Sequence, residues 1–212
     1  MTVPTTDLGF IHRFVPATDP ARPPLLLLHG TGGDENDLLP LGARLVPDAA
    51  LLSPRGQVLE NGMPRFFRRL AEDVFDINDL KIRTGELADF VGRALDAYGL
   101  NEPIALGFSN GANIAASLLL MRPEVLAGAV LIRAMTPFEP EALPNLKGVP
   151  VLMLSGGTDP IVPPQSRDHL VQLLAAAGAD VTHEVVPAGH GLSPQDLSAA
   201  ARWLAERGKK RN

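Results

Sequence analysis

The sequence contains no cysteine. Disulfides, thiolate zinc sites and a cysteine nucleophile are therefore excluded. It also lacks a basic surplus. Nineteen Lys+Arg against 24 Asp+Glu give a formal net charge of -5, with both signs spread along the chain. That distribution argues against a nucleic-acid surface or a binder of anionic membranes. The one basic cluster, Gly208-Lys209-Lys210-Arg211-Asn212, reads as a solvated tail rather than a binding arm. No uninterrupted apolar stretch is long enough to span a bilayer. The first twenty residues hold no long apolar run and carry Asp7, His12, Arg13 and Asp19, so no secretory signal is expected. Internal repeats and low-complexity linkers are also lacking. These absences point to a cytoplasmic protein with neither a nucleic-acid partner nor a stable membrane association.

What is present fits one domain over residues 1–212, with 45% hydrophobic residues to build its core. Twenty glycines and twenty prolines punctuate short apolar runs. Leu25-Leu26-Leu27-Leu28, Ile104-Ala105-Leu106, Ala129-Val130-Leu131-Ile132 and Val151-Leu152-Met153-Leu154 are continuous rather than alternating. Continuous runs mean burial on both faces, as in parallel strands covered by helices. Further strands are expected at 181–186 and around 50–53, with an antiparallel edge strand at 10–15. Helices are expected at 79–98, stopped by Gly99, at 110–121, and at 165–177, stopped by Gly178. A last helix follows an N-cap at Ser193 and carries Trp203 on its inner face. Strand and helix alternate, which predicts a doubly wound α/β sheet, mostly parallel, with helices on both faces.

Gly107-Phe108-Ser109-Asn110-Gly111 matches G-x-S-x-G. Chance alone produces this pattern in some sequences, but here it follows an expected strand and opens an expected helix. That setting presents a serine hydroxyl on a sharp turn, with glycines letting strand and helix approach. Serine is a weak nucleophile until a base takes its proton. In this strand–turn–helix arrangement the acid and the base follow the serine, each at the end of a later strand. Asp159 lies on the loop after 151–154, and His190 on the loop after 181–186. Imidazole titrates near neutrality and can take and return a proton. A carboxylate behind it fixes the tautomer. Other candidates fit less well. His12, His183 and Glu184 fall within strands, Asp168 and His169 within a helix, and Asp180 at the wrong end of the sheet.

An anionic intermediate needs backbone donors. His29-Gly30-Thr31-Gly32-Gly33 leaves the end of the Leu25–Leu28 run. The N–H of Thr31 and that of Asn110, directly after the serine, are the assigned oxyanion donors. A phosphate cradle is the rival for this glycine turn, but neither G-K-[ST] nor G-x-G-x-x-G is present. His29 itself reads as a packed, hydrogen-bonded side chain.

These motifs, with Gly157-Thr158-Asp159-Pro160-Ile161-Val162-Pro163 and Gly189-His190-Gly191, resemble the phospholipase/carboxylesterase family of α/β-hydrolases. The family also includes acyl-protein thioesterases and relatives of dienelactone hydrolases. Ser109-Asn110-Gly111-Ala112-Asn113, Ser53-Pro54-Arg55-Gly56, Arg65-Phe66-Phe67-Arg68-Arg69 and Arg133-Ala134-Met135-Thr136-Pro137-Phe138 are similar to its MhqD-type branch of small bacterial carboxylesterases. The resemblance covers nearly the whole chain. It implies the α/β-hydrolase fold and ester hydrolysis with neither metal nor organic cofactor. Dienelactone hydrolases proper use a cysteine nucleophile, which this chain lacks.

Phe66, Phe67, Met135, Phe138, Ile161, Val162 and Leu192 lie on loops near the expected site. Lining an apolar pocket and closing the core are equally open readings for each. Arg65, Arg68 and Arg69 either grip a substrate carboxylate or form a solvated loop face, and the second reading is the stronger. The interval 133–149 contains Pro137, Pro140 and Pro144, leaving room for at most one short helix and no large lid. The expected activity is that of a serine carboxylesterase on small soluble esters. A thioesterase or lysophospholipase is the alternative, and a non-catalytic binding protein on the same scaffold a third reading. A monomer or homodimer is expected.

Overall fold

A computed structural model describes residues 8–71 and 74–208. Most of the basic tail read from the sequence, from Lys209 onward, lies outside these residues, as does Asp7.

Four leucines in a row form the heart of the sheet. β2 (Leu25–Leu28) has all four fully buried. Leu26 and Leu28 point into one hydrophobic cluster, Leu25 and Leu27 into another on the opposite face. The period-two alternation of a strand thus feeds two cores, which is why the run needs no polar residue. Burying each such leucine contributes about 1.5–3 kcal/mol. β1 (His12–Val15), β3 (Leu51–Pro54), β8 (Ile104–Phe108), β9 (Gly128–Ile132), β10 (Pro150–Gly156) and β11 (Asp180–Val186) complete a seven-stranded sheet. Its order is β1-β3-β2-β8-β9-β10-β11. Only β1 is antiparallel, pairing His12 with Pro54 at the sheet edge.

One face is covered by α2 (Ile77–Tyr98), α3 (Asn110–Met121) and α4 (Pro164–Ala176), the other by α1 (Leu39–Leu45) and α5 (Pro194–Gly208). This is the α/β-hydrolase arrangement expected from the sequence. Local chemistry sets the boundaries. Asp76 caps α2 by accepting the Asp79 N–H at 3.1 Å, and Gly99 ends it in the left-handed region at φ 63. Pro164 opens α4 and Pro194 opens α5, at the positions where a missing N–H costs nothing. The short helix α1 was not expected.

Two small hairpins between β3 and α2 were also not expected. They are β4 (Val58–Glu60) with β5 (Met63–Arg65), and β6 (Arg69–Ala71) with β7 (Val74–Phe75). Asn61 and Gly62, at φ 52 and 81, make the two-residue turn of the first. The interval 133–149 holds no helix. Among the described residues, no helix is long and apolar enough to cross a membrane.

Candidate active site

Ser109 lies between β8 and α3, with φ 52 and ψ -115. A non-glycine residue with this backbone carries strain on the order of 1–3 kcal/mol. Its surroundings hold it there. Ser109 N–H donates to the Ile132 carbonyl at 2.8 Å, and its own carbonyl accepts from the Asn113 N–H at 3.0 Å. The flanking glycines are sterically required. A Cβ on Gly111 would sit 2.0 Å from the Leu28 carbonyl oxygen, and one on Gly107 2.5 Å from the Gly111 oxygen.

His190 follows β11, and Asp159 follows β10. His190 Nε2 is 2.8 Å from Ser109 Oγ. On its other side, Nδ1 is 2.9 Å from Asp159 Oδ2 and 3.1 Å from Oδ1. With Nδ1–H donated to the carboxylate, Nε2 is left free to accept the serine hydroxyl. The Asp159 side chain is buried, and its Oδ1 also accepts the N–H groups of Ile161 at 2.8 Å and Val162 at 3.2 Å. The three residues read from the sequence thus form one hydrogen-bonded chain.

Thr31 and Asn110 both line the cavity beside Ser109. Among the described residues, neither backbone N–H has a protein acceptor. Asn110 is also the first residue of α3, where the helix dipole favours negative charge. The glycine loop carrying Thr31 is pinned from below by His29. Its Nε2 accepts the Gly56 N–H at 2.9 Å, and its Nδ1–H donates to the Gly30 carbonyl at 2.7 Å. Burial holds the His29 pKa below its ordinary value, opposed by the Gly30 bond. The ring is therefore a neutral bracket between two loops, as its packed position in the sequence suggested. His12 and His183 are structural too: His12 bridges the Phe10 carbonyl and the Tyr98 hydroxyl, and His183 Nε2 lies 3.0 Å from Ser155 Oγ.

The cavity measures about 250 Å³. Met135, Ile161 and Val162 line it, as the sequence reading allowed. Phe66, Phe67, Phe138 and Leu192 do not. Phe66 is buried against the His29 ring, 4.7 Å between centroids, and Phe67 packs edge-on against Phe75 in the core. Phe138 is buried, with Lys81 Nζ 5.2 Å above its ring, and Leu192 faces solvent. Phe75 and Phe108 supply aromatic wall instead. The arginine reading also needs correcting. Arg68 is exposed and ion-paired with Asp76, but Arg65 is 3% exposed and lines the cavity beside Arg69.

Arg133 was missed. It is fully buried, at φ 62, directly after β9. Both its Nη atoms meet the Asp196 carboxylate at 2.8 Å. Its Nε donates to the Gly189 carbonyl at 2.8 Å and Nη2 to that of Gly191 at 3.1 Å. These are the carbonyls on either side of His190. Asp196 is held in turn by the Ser193 N–H and hydroxyl at 2.8 and 2.7 Å. Among the described residues, no cluster of His, Asp or Glu is arranged to hold a metal ion.

A family model described as phospholipase/carboxylesterase matches residues 11–207. The hydrolase MhqD of Bacillus subtilis is 47% identical over 184 residues, 86% of this chain and 92% of that protein. A carboxylesterase structure from Bacillus cereus is 45% identical, with a TM-score of 0.92, covering 94% of this chain and 95% of that one. A carboxylesterase from Mesorhizobium loti is 34% identical, with a TM-score of 0.90, covering 96% and 98%. With nearly its whole length matched, the chain belongs to the phospholipase/carboxylesterase family and is a hydrolase of carboxylic esters.

Proposed function

We propose that this chain hydrolyses small soluble carboxylic esters through an acyl-enzyme on Ser109. The observation that carries the reading is the Ser109–His190–Asp159 hydrogen-bonded chain on a strained turn at the cavity wall. In the first step Ser109 Oγ attacks the ester carbonyl carbon while His190 Nε2 takes the hydroxyl proton. The carbonyl oxygen becomes an oxyanion and accepts the Thr31 and Asn110 N–H groups. As the C–O bond to the alcohol breaks, His190 returns its proton to the departing oxygen. A water molecule, giving its proton to the same nitrogen, then attacks the acyl-enzyme. Collapse of the second intermediate releases the carboxylic acid and restores Ser109. Asp159 keeps the imidazole in the required tautomer and stabilises its charged form.

The modest cavity supports small substrates over lysophospholipids, whose long acyl chain needs a deep apolar groove. The test is active-site labelling. A fluorophosphonate should label one serine per chain, mapping by peptide mass to Ser109, and Ser109→Ala should abolish turnover of 4-nitrophenyl acetate with an unchanged circular dichroism spectrum. Turnover retained in the folded variant would refute the assignment.

A further inference from the structure

We propose that the cavity contains an anion subsite, built by Arg65, Arg69 and Asn110, that selects esters whose acyl part carries a carboxylate. The inference rests on the Ser109 acyl-enzyme reading and specifies its substrate class.

Among the described residues, the charges around the cavity do not balance: three arginines line it and no aspartate or glutamate does. Arg133 is neutralised by Asp196 and has all its nitrogens engaged. Arg65 and Arg69, by contrast, share one carboxylate among the described residues. Glu60 accepts from Arg69 Nε at 3.0 Å and Nη2 at 2.7 Å, and its Oε2 lies 3.3 Å from Arg65 Nε as an ion pair. Among the described residues, one positive charge is left over at a wall where Arg65 is almost completely removed from bulk water. A cation in such a place is costly unless an anion joins it. Burial pulls the Arg65 pKa below its ordinary value, Glu60 opposes this, and the Arg69 charge adds to it.

Donors are also left over. Arg65 Nε donates to the Phe67 carbonyl and Nη1 to Thr31 Oγ1, but Nη2 has no protein acceptor among the described residues. Asn110 is 2% exposed, and its Oδ1 is taken by the Phe66 N–H at 2.7 Å. That bond fixes which end is the amide nitrogen, and this buried Nδ2 has no partner. A buried donor without a protein partner is completed by an ordered water or by a ligand. A planar carboxylate suits a guanidinium and an amide N–H together.

The position defines which part of the ester carries the charge. The departing alcohol must take its proton from His190, so it lies on the β11 side of Ser109. Thr31, at the end of β2, is on the other side of β8 in the sheet order. Arg65 is tied to Thr31 at 2.6 Å. The cationic wall therefore lies away from the departing alcohol, on the side left to the oxyanion and the acyl portion.

The test compares monoethyl succinate with ethyl 4-methylpentanoate, in which two methyl groups replace the carboxylate oxygens, by ethanol release. The kcat/KM ratio should favour the charged ester at least tenfold, and Arg69→Gln and Arg65→Gln should each lower that ratio at least fivefold. Arg69 is partly exposed, so its variant should fold even if that of Arg65 does not. A wild-type ratio near one, or a high ratio unchanged in the folded Arg69 variant, would overturn the subsite. Faster turnover of O-acetylglycolate, with its carboxylate on the alcohol, would overturn the acyl-side assignment. Hydrolysis of 4-nitrophenyl acetate that disappears in Ser109→Ala upholds the nucleophile whatever the ratio. No hydrolysis of any of these esters refutes both readings.

Discussion

Replacing Arg133 with methionine separates two roles that one side chain combines. The guanidinium neutralises Asp196 and also ties down the carbonyls of Gly189 and Gly191, which bracket His190. Arg133→Met would leave the Asp196 carboxylate buried at 0% side-chain exposure, with only Ser193 as partner among the described residues. Breaking a fully buried pair this way costs about 3–5 kcal/mol. For a chain of this size each kcal/mol lowers Tm by about 2–4 °C, so the expected drop is roughly 6–20 °C. Independently, the histidine loop loses its anchor. A displacement of about 1 Å at a reacting group can lower kcat about a hundredfold.

The double variant Arg133→Met/Asp196→Leu tells the two effects apart. Removing both charges relieves the buried carboxylate and should recover most of the lost Tm, because apolar replacement of a buried pair is often neutral. It does not restore the bonds to Gly189 and Gly191, so kcat should stay low. Differential scanning calorimetry and 4-nitrophenyl acetate kinetics, run well below the variant Tm, read the two quantities. A double variant that regained wild-type kcat would show that Arg133 does not position His190. A single variant melting within 2 °C of wild type would refute the buried-charge argument.

Asp159→Asn should lower kcat by about 10³- to 10⁴-fold, since the amide cannot accept Nδ1–H and also receive the Ile161 and Val162 N–H groups as the carboxylate does; near-normal turnover in steady-state kinetics would contradict this. A 4-nitrophenyl ester series should peak at acyl chains of about two to six carbons, because methylenes beyond the cavity forgo most of the roughly 0.8 kcal/mol each that burial provides; an optimum at twelve or more would reveal a groove. His29 should make the fold acid-sensitive. Its folded pKa is lowered, so the unfolded chain takes up the proton first as pH falls below about 6.5. Stability should be level above that point and decline below it until the folded ring protonates, by at most about 1.4 kcal/mol per pH unit from this one group. His29→Gln should flatten the decline in urea midpoints between pH 6.5 and 5, and an unaltered slope would remove His29 from the explanation.

The sheet and the hydrogen-bonded arrangement of Ser109, His190 and Asp159 were legible because each obeys a local rule. Four consecutive leucines can be buried on both faces only in a covered strand, and β2 is such a strand. Gly107 and Gly111 were readable because nothing larger fits beside the Leu28 and Gly111 backbone oxygens. The hairpins carried a signal that went unused: Asn61-Gly62 is the two-residue turn for which both residues adopt positive φ. It pairs Val58 with Arg65 and so turns a stretch read as a solvated loop into a short strand, whose last residue is Arg65.

The fate of the arginines could not be read from neighbours in sequence. Arginine is rarely fully buried, and what reverses that preference is a matching set of acceptors. For Arg133 those acceptors are Gly189, Gly191 and Asp196, brought in by the β11–α5 connection and the first turn of α5 more than fifty residues later. For Arg65 they are Glu60 across the hairpin and Thr31 on the β2 loop. The phenylalanines failed for the converse reason. Hydrophobicity says that Phe66 and Phe67 are removed from water, and they are, but it does not say whether a cavity or the core does the covering. Hydrolytic chemistry is written in short motifs because strained turns and parallel strands are local constraints. Substrate selection at this site depends on which charges fail to find a partner, and that is a property of the assembled wall.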